Sequence, residues 1–187
     1  SRQSTYTLYD SDHASMQVDK GWDTETSAWT NQFRHTFTDD AHGNRIKTES
    51  ENWEADAWKL FAKSDFIYDS NLYLISNETS IWQTASSTWT APVNRIVYTN
   101  NAQGKPLLME TYVNNDTTPS SKVSFTYDSQ GHVAFRLTES LFSGSWTVSN
   151  LMEYTNLSNG LPQKIHQTNY DTDGDITSEL QYLYEYF

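Results

Sequence analysis

Seven tryptophans are the residues of this chain best suited to bind a ligand. Most of them stand a few positions from a second aromatic residue, and indole rings on a β-surface can stack on sugar rings or anchor a partner protein. The alternative is that the rings pack on one another across hairpins and only stabilise the sheet. We expect the tryptophans beside longer loops to be the most accessible, and the candidate ligand-binding residues are Trp22, Trp29, Trp82 and Trp89.

The titratable residues do not indicate a metal or cofactor site. The histidines stand at different offsets from one another, without the short fixed spacing of zinc ligands. Residues 170–179 read YDTDGDITSE. Counted from Asp171, the glycine and the glutamate occupy positions four and nine, where an EF-hand loop needs positions six and twelve. We therefore interpret this stretch as a turn and expect no metal and no cofactor. The histidines considered are His13, His35, His42, His132 and His166.

Catalysis is not indicated either. The sequence contains no nucleophile elbow, no phosphate-binding loop and no dinucleotide fingerprint. A glycan-active enzyme would need two carboxylates about 5–10 Å apart in a cleft. Glu49, Glu78 and Glu110 recur in successive repeats, which favours a structural role for them. We expect a protein that is not an enzyme, with a glycan-active enzyme as the remote alternative.

Composition excludes some partners. The net charge of −12 and the pI of about 4.6 oppose binding to nucleic acid or anionic lipid. No apolar run is long enough to span a bilayer, so we expect no membrane-spanning segment. The absence of cysteine excludes disulfides and thiolate metal sites. The chain begins at Ser1 rather than Met, which is consistent with removal of an upstream segment.

The chain repeats one short pattern along its whole length. Aligned on the residue before each turn, the copies are 27 to 32 residues apart, which predicts six units of about 29 residues in a single domain over residues 1–187. The copies read SFTYDSQGHV at 124–133, with variants at 37–46, 66–75, 98–107 and 154–163 and a more divergent one at 7–16.

Each repeat contains an Asp-x-x-Gly turn, as in Asp128–Gly131. The carboxylate can accept backbone N–H bonds, and glycine can adopt the left-handed conformation that ends the turn. A four-residue hairpin loop would place Tyr127 opposite His132. The same register predicts aromatic–aliphatic and opposite-charge cross-strand pairs. They are Phe37–Ile46, Phe66–Ile75, Tyr98–Leu107, Arg34–Glu49, Lys63–Glu78 and Arg95–Glu110.

The strands between the turns show period-two alternation, which is typical of half-buried strands. Strand parity puts Trp53 and Trp58 on different faces, so at least one strand must contain a β-bulge. The predicted fold is all-β, an antiparallel up-and-down meander of about twelve strands. Because open sheets of this size curl or split, we expect either an elongated coiled β-array or a curled or closed barrel.

The Tyr-Asp-x-x-Gly pattern resembles the YD repeats of RHS-type bacterial surface and toxin proteins, and Tyr-Asp itself is intact at 9–10, 68–69, 127–128 and, off register, 170–171. A tryptophan pair followed by such a turn at nearly 30-residue spacing is similar to repeat proteins exported by Bacteroidetes-type bacteria. The resemblance covers residues 5–187. It implies a non-catalytic hairpin-repeat protein that is exported to the cell surface, the periplasm or the medium.

The resulting functional hypothesis is a scaffold, adhesion or binding protein of the bacterial surface. Its partner would be a polysaccharide or another surface protein. The alternative is a carbohydrate-binding module that uses repeated tryptophan and tyrosine side chains, since repetition along an array gives avidity for a polymer.

Overall fold

The chain folds into β-strands joined by turns, in a computed structural model that describes residues 2–8 and 14–186. These residues form 14 strands and no helix, so the predicted all-β meander is confirmed. The chain divides into two compact units, Ser1–Arg95 (unit 1) and Ile96–Phe187 (unit 2). The single domain over residues 1–187 stays a prediction.

Unit 1 is a linear meander in which each strand from β1 to β6 pairs antiparallel with the next, and β7 pairs with β6. Among its described residues the first strand does not pair with the last, so the unit is not closed into a barrel. Its strands are β1 Arg2–Leu8, β2 Ala14–Asp23, β3 Ala28–Asp39, β4 Arg45–Glu54, β5 Ala57–Tyr68, β6 Leu74–Gln83 and β7 Thr88–Trp89.

Unit 2 has the same linear order, from β8, which begins at the boundary of the two units, to β14. Within the part of the chain that the structure describes, this unit is not closed into a barrel either. Its strands are β8 Asn94–Asn100, β9 Pro106–Val113, β10 Ser121–Tyr127, β11 Val133–Phe142, β12 Ser145–Asn156, β13 Pro162–Tyr170 and β14 Ile176–Leu183.

The repeated turn is closed by its first side chain. In residues 40–44, Asp40 Oδ1 accepts the backbone N–H groups of His42 at 2.8 Å and Asn44 at 2.9 Å, and Gly43 has a φ of 82°. Asp69, Asn101, Asp128 and Asp171 accept two backbone N–H groups in the same way. The predicted roles of aspartate and glycine are therefore confirmed, and 171–175 is such a turn. The turn of the first copy lies outside the described residues.

The predicted register of these hairpins is wrong by two residues. The loop contains five residues, since Asp39 pairs with Arg45, and the following residue, Ile46, is a β-bulge. Beyond the bulge every side chain therefore keeps its predicted face but changes its partner, while next to the turn the shift is one residue, and Tyr127 faces Val133 rather than His132. Phe37 faces Thr48 and Phe66 faces Asn77, so the two aromatic–aliphatic pairs predicted for these residues do not form.

The predicted charge pairs change in the same way. Arg34 faces Glu51 rather than Glu49, and its guanidinium donates to both carboxylate oxygens at 2.5 and 2.7 Å. Lys63 faces Ser80 rather than Glu78 across β5 and β6. In unit 2, Lys122 faces Glu139, with an Nζ–Oε2 distance of 3.2 Å. The pairs Tyr98–Leu107 and Arg95–Glu110 stay predictions.

Neither unit contains a conventional hydrophobic core. Ile165 is the single buried apolar side chain among the described residues, and the buried polar residues are Asp19, Ser76, Ser80 and Thr168. The strands contact their ladder neighbours and no second layer of the same unit. Stability must therefore depend on the ladders and on contacts between side chains of one face.

The tyrosine of the Tyr-Asp motif links each hairpin to the preceding one. Tyr68 donates its hydroxyl proton to the Arg45 carbonyl at 2.9 Å, and Tyr127 donates to the Pro106 carbonyl at 2.7 Å. Burial raises the pKa of both phenols. Each acceptor is the first residue of the preceding outgoing strand, so the motif combines a link between repeats with the aspartate that closes its own turn.

Replacement of Tyr68 by Phe should lower the free energy of unfolding by about 1 kcal/mol, because the Arg45 carbonyl loses its hydroxyl donor. The control is Tyr6→Phe, since Tyr6 is 58% exposed. Urea unfolding of both variants provides the measurement. Equal stabilities of Tyr68→Phe and the control would show that the link contributes nothing.

Replacement of Leu72 by Gly should stabilise the protein by about 0.5–1 kcal/mol, because Leu72 has a φ of 64° at the position that glycine occupies in the other turns. Conversely, Gly174→Ala should destabilise by about 1 kcal/mol through backbone strain alone, since φ is 89° and an added Cβ would meet nothing within 4 Å. Thermal and urea unfolding measure both changes. Destabilisation by Leu72→Gly would contradict the strain argument.

Candidate functional site: the tryptophan face of unit 1

Three tryptophan pairs lie on one face of the sheet of unit 1, which we call the tryptophan face. In each pair the two residues are directly opposed across a hairpin. The rings meet edge to face, with centroid distances of 5.5 Å for Trp22–Trp29, 4.9 Å for Trp53–Trp58 and 5.1 Å for Trp82–Trp89. This is the preferred geometry of aromatic pairs.

Bulges in β3 and β5 bring Trp29 and Trp58 to the same face as Arg34 and Lys63 of their own strands. In β5 the bulged residue is Phe61, because Glu51 pairs with Leu60 while Ser50 pairs with Ala62. In β3 the bulged residue is Gln32. The prediction of a bulge in at least one strand is therefore confirmed, although the bulge lies at Phe61 and not between the directly opposed Trp53 and Trp58. Its position is not apparent from the sequence, since neither bulged residue is of a type that marks bulges.

Short loops complete the tryptophan hairpins. Ala55 and Asp56 have φ values of 49° and 58°, so they form a two-residue turn with both central residues left-handed. The longer loops at 24–27 and 84–87 end in Ser27 and Ser87, each with a φ of 52°. Asp23 Oδ1 accepts the Glu25 N–H in the first of these loops at 2.8 Å.

A cation from the preceding hairpin lies over one tryptophan in two of the pairs. The Arg34 guanidinium is 4.9 Å from the centre of the Trp58 ring, and Lys63 Nζ is 5.7 Å from that of Trp89. Each cation also has a carboxylate partner, Glu51 for Arg34 and Asp65 for Lys63. Trp58 and Trp89 are thus partly covered by the protein itself.

Trp22 and Trp29 are the most accessible tryptophans of the face. They are 43% and 40% exposed, whereas the other four are half-buried. At the position in β1 that corresponds to Arg34 and Lys63 stands Gln3, which carries no charge and cannot cover Trp29 as a cation. Of the four predicted site residues, the structure therefore leaves one pair open, while Trp82 and Trp89 form a separate, less accessible pair.

A shallow cleft of about 290 Å³ lies on the tryptophan face beside the open pair. It extends over β1, β2, β3 and β5, which are brought together by pairing between distant parts of the sequence. Lys20 and Asn31 are directly opposed at its edge. The side chains that line the cleft are Thr5, Met16, Val18, Lys20, Asn31, Arg34 and Trp58. The sequence analysis did not identify this cleft.

Unit 2 contains one equivalent of the covered tryptophans. Lys122 Nζ lies 4.3 Å from the centre of the Trp146 ring and is paired with Glu139. Phe142, near this tryptophan, is 55% exposed and borders a cavity of about 350 Å³ with Tyr170.

A polar cluster lies on the opposite face of unit 1, centred on the fully buried Asp19. Ser4 Oγ donates to its carboxylate at 2.6 Å and Gln17 Nε2 at 2.9 Å, and Arg2 forms an ion pair with it. Burial by itself raises the pKa of Asp19, but the hydrogen bonds from Ser4, Gln17 and Arg2 outweigh it and lower this pKa to about 2. Asp19 is therefore a structural anion that holds β1 on β2.

The same cluster contains the residue types of a nucleophilic triad. His35 Nδ1 is 2.9 Å from Ser50 Oγ, and His35 Nε2 is 3.8 Å from Asp19 Oδ2. Acyl transfer also needs free N–H donors for an oxyanion. Ser50 lies in the middle of β4, which is paired on both sides, so the backbone donors around it are engaged in the ladders. We interpret this set as structural.

The remaining titratable residues form no obvious centre. Among the described residues no group of three His, Asp or Glu side chains is arranged to hold a metal ion. His166 lies between Glu153 at 3.0 Å and Glu179 at 3.9 Å, and His42 is part of a turn. No described segment is a helix of the length and hydropathy needed to cross a membrane. His13 lies outside the described residues.

Comparisons with known proteins give remote structural similarity only. No protein-family model matches the chain, and no curated protein matches its sequence. The similar structures include a DUF3836 family protein from Bacteroides vulgatus ATCC 8482, which is 13% identical with a TM-score of 0.42 over 48% of this chain and 89% of that one. A protein of unknown function from Bacteroides fragilis NCTC 9343 is 13% identical with a TM-score of 0.41 over 82% of this chain and 92% of that one.

A chain of the TcdB2-TccC3-Cdc42 structure is 12% identical, with a TM-score of 0.47 over 96% of this chain and 11% of that one. The neighbours thus include DUF3836 proteins of Bacteroides and a chain of a toxin complex. At these scores they carry no argument about function, and membership of the YD-repeat proteins stays a prediction.

The low pKa of Asp19 predicts acid sensitivity. Its folded-state pKa of about 2 is below the ordinary value of 3.8, so its contribution is complete above pH 3.8 and is lost as the pH falls through 2. We expect this contribution to be on the order of 1–2 kcal/mol, because Arg2 is partly screened by solvent. Urea unfolding of the wild type and of Asp19→Asn between pH 2 and 5 provides the measurement. An identical pH dependence of the two proteins would contradict the assignment.

Proposed function

We propose that this chain is a non-catalytic binding module of an exported bacterial hairpin-repeat protein. It acts by holding a surface polymer or a neighbouring surface protein, or by spacing such partners. The observation that carries this proposal is the tryptophan face, on which three aromatic pairs repeat along a sheet that buries almost no apolar side chain. Aromatic rings that stay exposed on a rigid strand surface are suited to binding.

The regular spacing of the pairs supports binding to a polymer. Successive pairs are two strands apart, which corresponds to about 10 Å at the usual interstrand distance. A ligand with a repeating unit can contact several equivalent positions, and multiple weak contacts add to avidity. The repeated contacts of the fold are structural ones, and the backbone donors around Ser50 in the Asp19–His35–Ser50 set are engaged in the ladders on both sides of β4, which leaves no oxyanion site there.

A carbohydrate ligand is the more specific candidate. Trp22 and Trp29 are 43% and 40% exposed, and neither lies under a cation in the described part of the chain. Open indole faces are suited to stacking on pyranose rings. The resemblance of the repeats to exported Bacteroidetes-type proteins agrees with a location in which polysaccharides are accessible, and export is part of this proposal.

Trp29→Ala should lower retention on a bound polysaccharide about five- to tenfold, since it removes an exposed stacking face. It should lower the free energy of unfolding by only about 0.5–1.5 kcal/mol, through loss of the edge-to-face contact with Trp22. Trp146→Ala is the matched control, because Trp146 lies in unit 2, outside the tryptophan face, and is covered by Lys122, so its loss should mainly reduce stability. Affinity electrophoresis over a panel of neutral and acidic polysaccharides, together with urea unfolding, measures both quantities.

Loss of stability in both variants, with no retention by the wild type, would support spacing without carbohydrate binding. Release of reducing ends from any polysaccharide by the purified wild-type chain would overturn the non-catalytic proposal.

A further inference from the structure

We propose that the cleft on the tryptophan face binds a uronic-acid sugar, with Lys20 as the partner of its carboxylate. This inference rests on the proposed binding function and names the ligand class. It depends on the charge of Lys20, on Asn31 directly opposite Lys20, and on the open pair Trp22–Trp29 beside them.

Lys20 is the uncompensated cation of the cleft. It is half-buried in β2, and it has no ion pair and no hydrogen bond from its side chain among the described residues. The other cation of the cleft, Arg34, is neutralised by the two-pronged contact with Glu51. A partly desolvated charge without a partner is unfavourable, so an anionic ligand group at this position would be stabilised.

The surroundings of Lys20 are suited to a sugar carboxylate. Asn31 lies directly opposite and also lines the cleft, so its amide can donate a second hydrogen bond. Trp22 and Trp29 are the pair two residues further along the same face, which corresponds to about 7 Å along a strand. In a uronic acid the carboxylate is attached directly to the pyranose ring, so a ring on the open tryptophans and a carboxylate at Lys20 are compatible.

The volume of the cleft limits the size of the group it holds. About 290 Å³ is at the lower end of the range for ligand pockets, about 300–1,000 Å³. The cleft therefore accommodates the carboxylate end of one sugar unit, and the ring of that unit and the adjoining units would extend over the tryptophan face. Trp58, at the opposite wall, is covered by Arg34 and restricts the cleft on that side.

The charge of the whole chain makes local recognition necessary. A net charge of −12 repels a polyanion at long range. At physiological ionic strength the Debye length is about 8 Å, so distant carboxylates are largely screened while a contact with Lys20 is not. We therefore expect the affinity for uronic-acid polymers to depend on Lys20 and not on the number of positive charges.

The experiment measures retention on polygalacturonate, alginate and hyaluronan, each compared with its carboxyl-reduced form, in 0.15 M salt. The wild type should bind at least one acidic polymer more tightly than its reduced form. Lys20→Gln should lower this affinity about tenfold or more, as expected for loss of a charge-assisted hydrogen bond, and Lys20→Arg should retain it. The control is Lys59→Gln, which has the same net charge as Lys20→Gln. Because Lys59 is exposed on the opposite face, this variant should bind with the affinity of the wild type.

Equal binding of the acidic and reduced polymers, or equal affinities of Lys20→Gln and Lys59→Gln, would overturn the inference. If Trp29→Ala still reduced retention when Lys20→Gln did not, the proposed binding function would stand without a uronic-acid ligand. Failure of the wild type to bind any polysaccharide would overturn both the inference and the carbohydrate form of the proposed function. Urea unfolding of Lys20→Gln and Lys20→Arg separates loss of binding from loss of structure.

Discussion

The lack of an interior is the constraint on which this structure depends. Each unit is a single layer of strands, and Ile165 is the single apolar side chain that is buried among the described residues. Burial of apolar surface is normally the dominant favourable term in folding. Here it is replaced to a large extent by backbone ladders and by contacts between side chains that lie on the same face of the sheet. Those contacts recur because the hairpin recurs.

The repeated contacts determine which surfaces remain free. In two Tyr-Asp motifs, Tyr68 and Tyr127 each satisfy a carbonyl of the preceding hairpin, and a cation of one hairpin covers a tryptophan of the next. A side chain engaged in such a contact has little exposed surface and few free hydrogen-bonding groups with which to bind a ligand. Candidate ligand-binding positions are therefore those at which a repeat lacks one of these contacts. Gln3 stands in place of the covering cation, Trp29 remains open, and Lys20 has no carboxylate partner in the described part of the chain.

The two faces of unit 1 are linked through its first strand. All residues of β1 are exposed, and β1 pairs with β2 alone among the described strands. On one face, Arg2 and Ser4 bind the buried Asp19 of β2. On the other face, Thr5 borders the cleft. The polar cluster thus holds in place an edge of the candidate site, although the two lie on opposite sides of the sheet. The buried carboxylate of Asp19 therefore has a structural role that does not involve catalysis.

The sequence by itself determined the features that arise within a few residues. The turn at 128–131 was predictable because Asp128 binds backbone groups two and four residues ahead, and Gly131 adopts its conformation without help from the rest of the chain. Strand alternation determined the all-β meander and the faces of the strands. The tryptophans were recognised as candidates for binding by residue type and spacing. Local chemistry was sufficient for all of these.

Only the tertiary structure decided the register and the cleft. The bulge at Ile46 adds an unpaired residue after a five-residue loop, and a shift of two residues leaves every side chain on the same face. The alternation pattern is identical in the two registers, so the partners Arg34 and Glu51 could not be identified from it. The cleft depends on pairing between β1, β2, β3 and β5, whose residues are far apart in the sequence. Whether Lys20 has a partner depends on which strands lie beside it, and that is a property of the assembled sheet.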